Sequence, residues 1–178
     1  MTATELSGWW KRIPNCNVGI VTGKVSNIVV IDVDGPIGLQ SMIDAGYDPD
    51  TLPETPTVRT GGGGLHLYYQ YPAGMTVETR VGVLPKVDIR SDGGFVIAPP
   101  SLHASGSRYE WMEGVDIRDI QPNDFPDWTS FLGRHAGRIF PKPQIEPTVD
   151  FPSEPVSPNG TVDSKDLTWY EFFLQGVG

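Results

Sequence analysis

The first two-thirds of the chain contains short runs of alternating apolar and polar residues, separated by turns rich in glycine and proline. A period of two is typical of β-strands that bury one face. Residues 28–34, Ile-Val-Val-Ile-Asp-Val-Asp, differ because apolar residues occupy both parities of the pattern. We therefore expect a strand there that is buried on both faces, and such a strand lies at the centre of a sheet.

The same patterns predict the remaining elements of the chain. Further strands are expected at residues 17–22, 57–60, 65–71, 87–90, 95–98 and 107–111, and helices at residues 6–12, 37–46 and 128–135. Short turns separate two pairs of strands, so each pair is expected to form a β-hairpin: 17–22 with 28–34, and 87–90 with 95–98.

Length and composition are those of an ordinary globular protein. The 178 residues suffice for one core, and the single cysteine, Cys16, excludes an internal disulfide framework and a cysteine-rich zinc site. No apolar run approaches the length of a membrane span and the first residues lack a secretory signal, so a cytoplasmic location without membrane contact is expected. The net charge of −9 argues against a broad nucleic-acid-binding surface.

Two carboxylates stand at the end of the predicted central strand. Asp32 and Asp34 are two positions apart and therefore point to the same side of the sheet, and Gly35 and Pro36 end the strand directly behind them. Neighbouring carboxylates at the tip of a buried strand repel each other and lose hydration, and a divalent cation relieves both effects. The structural alternative is that one aspartate belongs to the turn and the other caps the following helix.

A run of four glycines at residues 61–64 precedes His66. Glycine lets backbone N–H groups approach an anion closely, and a histidine on the adjoining strand can donate a hydrogen bond to a phosphate oxygen. Alternation along this strand places His66 on its polar face. The alternative interpretation is a loose loop followed by a surface histidine.

Asp88 and Arg90 repeat the two-residue spacing on another short strand, so their side chains point the same way. Asp88 is a candidate third metal ligand and Arg90 a candidate phosphate clamp, and a surface ion pair is the alternative. Asp92 lies in the following turn and is expected to serve the turn rather than bind metal.

Together, these motifs resemble the catalytic domain of the bifunctional primase-polymerases, a branch of the archaeo-eukaryotic primase superfamily found on plasmids, phages and other mobile elements. The residues that carry the resemblance are NVGIVTG (17–23), VVIDVDG (29–35), TGGGGLHLYY (60–69), VDIRSDGGFVIAPPS (87–101) and SRYEW (107–111). Each motif alone is weak, whereas the whole set in this order and with these spacings is specific.

The resemblance implies template-directed nucleotidyl transfer by a DNA polymerase or primase, acting on dNTPs or NTPs with a primer and a single-stranded DNA template. Asp32, Asp34 and Asp88 match the family's three catalytic carboxylates, which hold two Mg²⁺ or Mn²⁺ ions, and no zinc is expected. His66 matches the histidine that contacts the triphosphate. Nucleotide or phosphate contacts are also expected from Arg90, Thr60, Gly63 and Gly64.

The implied fold class is α/β of the α+β type, in which an RRM-like, mostly antiparallel sheet carries the site and packs with a smaller α/β unit. Residues 1–140 would form the catalytic domain, without the strand and helix that usually precede this segment in the family. Residues 141–164 are expected to be a Pro-rich linker, and residues 165–178 the start of a truncated C-terminal helical region. A helicase or that helical region of a longer protein is the expected partner.

Template contacts are assigned only by residue type. The aromatic candidates for stacking on bases, for which a packing role is the stronger expectation, are Trp9, Trp10, Tyr68, Tyr109 and Trp111. The basic candidates for contacts to the phosphate backbone are Lys11, Arg12, Arg59, Arg80 and Lys86.

Two other functions stay open from the sequence. The HAD-type phosphohydrolases also begin with an apolar strand and Asp-x-Asp-Gly, in which the first aspartate is a nucleophile and the second an acid/base. Pro36 stands where those enzymes favour threonine, and their sheet is parallel, so strand directions separate the two hypotheses. The other alternative is a truncated domain that binds nucleotide or template without turnover.

Overall fold

The computed structural model describes residues 2–133. The predicted linker and C-terminal helical region lie outside the described residues. In chain order the elements are α1 (Ala3–Arg12), β1 (Val18–Val21), β2 (Ile28–Val33), α2 (Gly35–Asp44), β3 (Thr57–Arg59), β4 (Leu65–Gln70), β5 (Arg80–Leu84), β6 (Val87–Arg90), β7 (Phe95–Ala98), β8 (Glu110–Trp111) and α3 (Trp128–Gly133). None of the helices within residues 2–133 combines the length and apolarity needed to cross a membrane.

Six strands form the main sheet in the order β5-β6-β2-β4-β3-β8, and each ladder between these strands is antiparallel. Strand β2 has β6 on one side and β4 on the other, which confirms the predicted central strand. The expected α+β class with a mostly antiparallel sheet is also confirmed. Because a HAD-type phosphohydrolase requires parallel strands, that alternative is wrong.

One face of the main sheet, which we call the back face, is apolar and buried. Strand β2 contributes Val29, Ile31 and Val33 to it, and the neighbouring strands add Leu67, Tyr69, Val87 and Ile89. These side chains pack against Met42 of α2 and an aromatic cluster made of Tyr47, Phe125, Trp128 and Phe131. Burying one side chain of this kind contributes about 1.5–3 kcal/mol, and this layer is the larger of the two buried clusters among the described residues.

The opposite, front face of the sheet is divided into an apolar and a polar part. In the apolar part, Val30, Val58 and Tyr68 form a second core with Val96. Val96 belongs to a separate two-stranded ribbon in which β1 pairs with β7. The ribbon therefore covers only part of the front face, and the polar part lies beside it.

Both hairpin predictions are wrong. Strand β1 pairs with β7, and β6 pairs with β2 and β5. The physical reason is that β4 and β6 occupy both edges of β2, so β1 has no free edge there. The sequence pattern also missed β5.

The turn at residues 91–94 joins the sheet to the ribbon. Asp92 accepts hydrogen bonds from the Lys24 backbone N–H at 2.7 Å and from the Tyr71 hydroxyl at 2.6 Å, and the Thr22 N–H donates to the Gly94 carbonyl at 3.0 Å. These contacts direct the chain away from the sheet instead of folding it back, and they confirm Asp92 as a turn residue.

Candidate active site

Three polar side chains form one row across adjacent strands of the sheet. Asp32 on β2 is paired with His66 on β4 and with Asp88 on β6. Directly opposed residues of antiparallel strands share a face, so these side chains all lie on the polar part of the front face. The pairing register thus brings together residues that are far apart in sequence, as predicted.

Asp34 follows Asp32 at the tip of the strand. It occupies the N-cap position of α2, but its side chain makes no capping hydrogen bond. The helix begins at Gly35, whose φ of +63° favours glycine, with Pro36 in its first turn. Asp34 thus stands at the N-cap position that the structural alternative expected, but its side chain does not cap the helix, and its exposed carboxylate is available to a ligand.

Asp32 is largely buried between the side chains of His66 and Arg90. His66 Nε2 lies 3.3 Å from Asp32 Oδ1, and Arg90 Nε lies 3.3 Å from Asp32 Oδ2. Burial alone would raise the pKa of Asp32, but the hydrogen bonds and charges of His66 and Arg90 together hold that pKa below its usual value. Asp32 is therefore a stable anion at neutral pH.

Asp88 has the opposite electrostatic balance. Its Oδ2 accepts from Arg90 Nη2 at 2.8 Å and its Oδ1 accepts from the Gly82 N–H at 2.7 Å. Burial nevertheless raises the pKa of Asp88, and the negative charges of Asp32 and Asp34 add to this effect. The site thus holds more negative charge than its own cations neutralise.

This donor set fits a hard divalent cation. Carboxylate oxygens are the ligands that Mg²⁺ and Mn²⁺ prefer. The pKa of Asp88 is raised mainly by burial and in smaller part by the charges of Asp32 and Asp34, and a bound cation would offset both effects. In the structure, Arg90 bridges Asp32 and Asp88. Within residues 2–133, no three His, Cys, Asp or Glu side chains converge closely enough to hold one metal ion. The assignment of Asp32, Asp34 and Asp88 as metal ligands stays a prediction.

His66 is not a surface residue, because only 5% of it is exposed. Its Nε2 faces Asp32, and its Nδ1 is buried with no hydrogen-bond partner among the described residues. His66 Nε2 therefore orients the Asp32 carboxylate in this structure, and the contact between His66 and the triphosphate stays a prediction.

The glycine-rich loop is closed by its own hydrogen bonds. The N–H of Gly63 donates to the Thr60 carbonyl at 3.0 Å, and the N–H of Gly64 donates to Thr60 Oγ1 at 2.8 Å. A phosphate contact from either amide would have to replace one of these bonds. Gly64 also packs tightly on the end of β2, since a Cβ there would lie 2.2 Å from the Val33 carbonyl oxygen.

An open cleft of about 380 Å³ lies over Asp32 and His66 of the row and over the glycine-rich loop. Its lining residues are Asp32, Asp34, Gly35, Thr60, Gly62, Gly64, His66, Lys86, His103 and Tyr109. Asp88, Arg90 and Gly63 are not part of this lining. His103 is a lining residue that the sequence motifs do not predict, and Lys86 and Tyr109, which were predicted to contact the template, also line this cleft.

Tyr109 connects the two histidines of the cleft. Its ring centroid lies 5.8 Å from that of His66 and 5.9 Å from that of His103. Burial raises the pKa of Tyr109, and the charges of Asp32 and Asp34 raise it further, so the phenol stays protonated.

Among the other aromatic candidates for base stacking, Tyr68 is completely buried in the second core and cannot stack on a template. Trp111 packs against Tyr68, with ring centroids 5.3 Å apart. Trp10 is 46% exposed, so it keeps a surface that a base could reach.

A comparison with curated proteins finds no match. The family model described as bifunctional DNA primase/polymerase, N-terminal, matches residues 1–128 of the 178-residue chain. The match includes all the residues of the row, the loop and the cleft. Its description indicates DNA primase/polymerase activity, which is a nucleotidyl transfer and requires binding of nucleotides and DNA. The chain belongs to the family of bifunctional DNA primase/polymerase N-terminal domains.

Proposed function

We propose that the chain performs template-directed nucleotidyl transfer with the help of two divalent metal ions, during replication of a plasmid, phage or other mobile element. The observation that carries the proposal is the row of Asp32, His66 and Asp88 across three adjacent strands, with Asp34 at the strand tip beside it. The mobile-element setting is supported by the sequence resemblance alone.

Asp32, Asp34 and Asp88 would hold the metal ions. Bound Mg²⁺ or Mn²⁺ would supply charge neutralisation for the triphosphate and activation of the primer 3′-hydroxyl. The protein contributes the fixed position of the carboxylates. Asp32 is held by β2 between the flanking strands and is further oriented by His66 Nε2 at 3.3 Å.

Arg90 has two roles in this proposal. It joins Asp32 to Asp88 through contacts of 3.3 and 2.8 Å, which keeps both carboxylates on the front face. Its guanidinium can bind a phosphate oxygen once one of these pairs opens, because cations at the carboxylates would weaken their hold on it. Catalysis then consists of positioning and electrostatic stabilisation, with no covalent enzyme intermediate.

The experiment that tests this function is a primer-extension gel with the 178-residue chain. Primed and unprimed single-stranded DNA templates are each incubated with dNTPs or NTPs and with Mg²⁺ or Mn²⁺. We expect metal-dependent extension by the wild type and its loss in Asp32→Asn and Asp34→Asn, which remove a ligand charge at nearly constant volume. Normal incorporation by both variants would contradict the proposal.

Binding without turnover is a second candidate function. The observation that favours it is that Arg90 bridges two of the proposed metal ligands. It predicts metal-dependent dNTP binding, measurable by calorimetry, without any extension of an annealed primer on the same gel. Extension by the wild type would exclude it.

A further inference from the structure

A small hairpin at residues 102–108 forms one side of the cleft. Leu102 and Arg108 form an antiparallel bridge, the N–H of His103 donates to the Ser107 carbonyl at 2.8 Å, and the N–H of Gly106 donates to the His103 carbonyl at 2.9 Å. His103 therefore has a fixed backbone, although it lies in a short polar turn.

The imidazole of His103 is also fixed, and its tautomer follows from its partners. The backbone N–H of Ser105 donates to His103 Nδ1 at 3.0 Å, so Nδ1 is an acceptor. A neutral imidazole carries one N–H, which must then be on Nε2. The Ser105 hydroxyl in turn donates to the Gly61 carbonyl at 2.7 Å, which ties this arrangement to the glycine-rich loop.

The glycine-rich loop is shaped to receive this hairpin. A Cβ at position 61 would lie 2.3 Å from His103 Cβ and 2.6 Å from the Ser107 carbonyl oxygen, so only glycine permits the contact. A Cβ at position 62 would lie 3.5 Å from both Cε1 and Nε2 of His103. The Nε2 edge of the ring therefore lies over the Gly62 backbone, where both residues line the cleft.

The two imidazoles of the cleft differ in what their Nε2 atoms face. His66 is buried and its Nε2 is engaged by Asp32. His103 is only partly buried, and no ion pair within residues 2–133 joins it to a carboxylate. A donor beside a glycine-rich backbone, within a cleft whose acidic residues attract cations, is suited to a polyphosphate.

We propose that His103 is a nucleotide-binding residue that donates its Nε2–H to a phosphate oxygen of the incoming nucleotide. The inference rests on the proposed function, since it concerns the same cleft. It adds His103 to the phosphate contacts predicted for this cleft, and the prediction for His66 is unchanged by it.

Two substitutions separate binding from a structural role. Asn at position 103 places its amide near the position of Nδ1, where its oxygen can accept from the Ser105 N–H, but it does not reach the cleft. Gln places its amide nitrogen near the position of Nε2 and can restore the donor. Thermal unfolding of His103→Asn and His103→Gln checks that both variants keep the fold.

The measurement is isothermal calorimetry with the 178-residue chain and Mn²⁺, without DNA so that no turnover occurs. The probes are dATP and inorganic tripolyphosphate, which has no sugar or base. We expect His103→Asn to weaken both affinities about tenfold, as for the loss of one hydrogen bond to a charged group, with unchanged Tm. His103→Gln should recover most of the affinity.

Four results would overturn the inference. Wild-type affinity in His103→Asn would show that the residue does not bind the nucleotide. A loss for dATP but not for tripolyphosphate would place the contact on the sugar or base. Equal weakening in His103→Gln with a lowered Tm in both variants would indicate a structural role. If the wild type binds neither probe, the proposed function fails together with the inference about His103. The first three results, in contrast, contradict the inference about His103 alone.

Discussion

The two faces of the main sheet are built from alternate residues of the same strands, yet they have opposite properties. On β2, Ile31 is completely buried in the back-face core and its neighbour Asp32 lies in the polar row. On β6, Ile89 and Asp88 repeat this division. One residue of sequence therefore separates a position that stabilises the fold from a position that carries the candidate chemistry.

This division means that stability and activity can be changed separately by substituting neighbours. The apolar back face holds each strand rigidly, and the front face uses that rigidity to keep charged groups close together. Substitutions on the front face should therefore change catalysis more than stability, and substitutions on the back face should change stability more than catalysis.

The largest effect is expected for Asp32→Asn. Because Asp32 is a proposed metal ligand, the loss of its charge should reduce templated incorporation by orders of magnitude. The Tm should fall less than for a core truncation, because the substitution keeps the volume of the side chain and the cost of burying the Asp32 charge offsets part of what its contacts with His66 and Arg90 contribute. Incorporation rate and thermal unfolding of the same preparation check this. A large fall in Tm with retained activity would contradict the division of roles between the two faces.

The neighbouring substitution Ile31→Ala should have the opposite outcome. It leaves a cavity in the back-face core and should lower the free energy of unfolding by about 2–5 kcal/mol. Urea unfolding measures this loss. Activity per folded molecule, assayed at low temperature, should stay within a few-fold of the wild type, since Asp32 keeps its partners.

A third substitution tests the contact between the loop and the sheet. Gly64→Ala introduces a Cβ 2.2 Å from the Val33 carbonyl oxygen, so the loop must move, at an expected cost of about 1–3 kcal/mol. Gly62→Ala is the matched control, because its Cβ would meet neighbours only at ordinary contact distances of 3.5 Å or more. Equal Tm values for the two variants would show that the close packing of Gly64 on Val33 does not contribute to stability.

The smallest effect concerns pH, measured without metal. Because the pKa of Asp88 is raised in the folded state, the folded protein binds more protons than the unfolded chain between the usual carboxyl pKa and the raised one. The contribution of Asp88 to stability therefore falls as pH rises through that window. Asp32, whose pKa is lowered, contributes stability that is lost as pH falls through its titration.

The difference in unfolding free energy between each Asn variant and the wild type isolates these contributions. As pH rises, Asp88→Asn should become more stable relative to the wild type. Asp32→Asn should become less stable relative to the wild type. The same trend for both variants would contradict the contrast between the two carboxylates. Urea titrations at several pH values with a chelator present provide the measurement.

Sequence patterns predicted the centre of this fold well because the relevant signals are local. The apolar run before Asp32 sufficed to identify β2 as the central strand, and alternation placed His66 on the correct face of β4. Strand β5 was missed because Gly82 and an irregular register with β6 interrupt its pattern. The hairpins failed because pairing depends on which strand edges are already occupied, and a linear pattern contains no information about this.

Part of the candidate site could not have been found from the sequence for a related reason. The row is carried by strands with recognisable motifs, whereas His103 lies in a polar turn whose Ser and Gly residues only indicate a loop. Its relevance depends on docking against Gly61, which is 42 positions away in the chain. The one available signal was the glycine run itself, since adjacent glycines often mark a place where another segment approaches closely.

The bridge formed by Arg90 has a practical consequence for handling the protein. An arginine that neutralises acidic side chains internally lets a domain reach its native state without waiting for a cation, unlike a zinc finger, which unfolds when its ion is withdrawn. Purification in EDTA should therefore yield folded material to which different ions can be added back one at a time. The bridge thus makes it possible to test which ion, if any, the proposed site takes up.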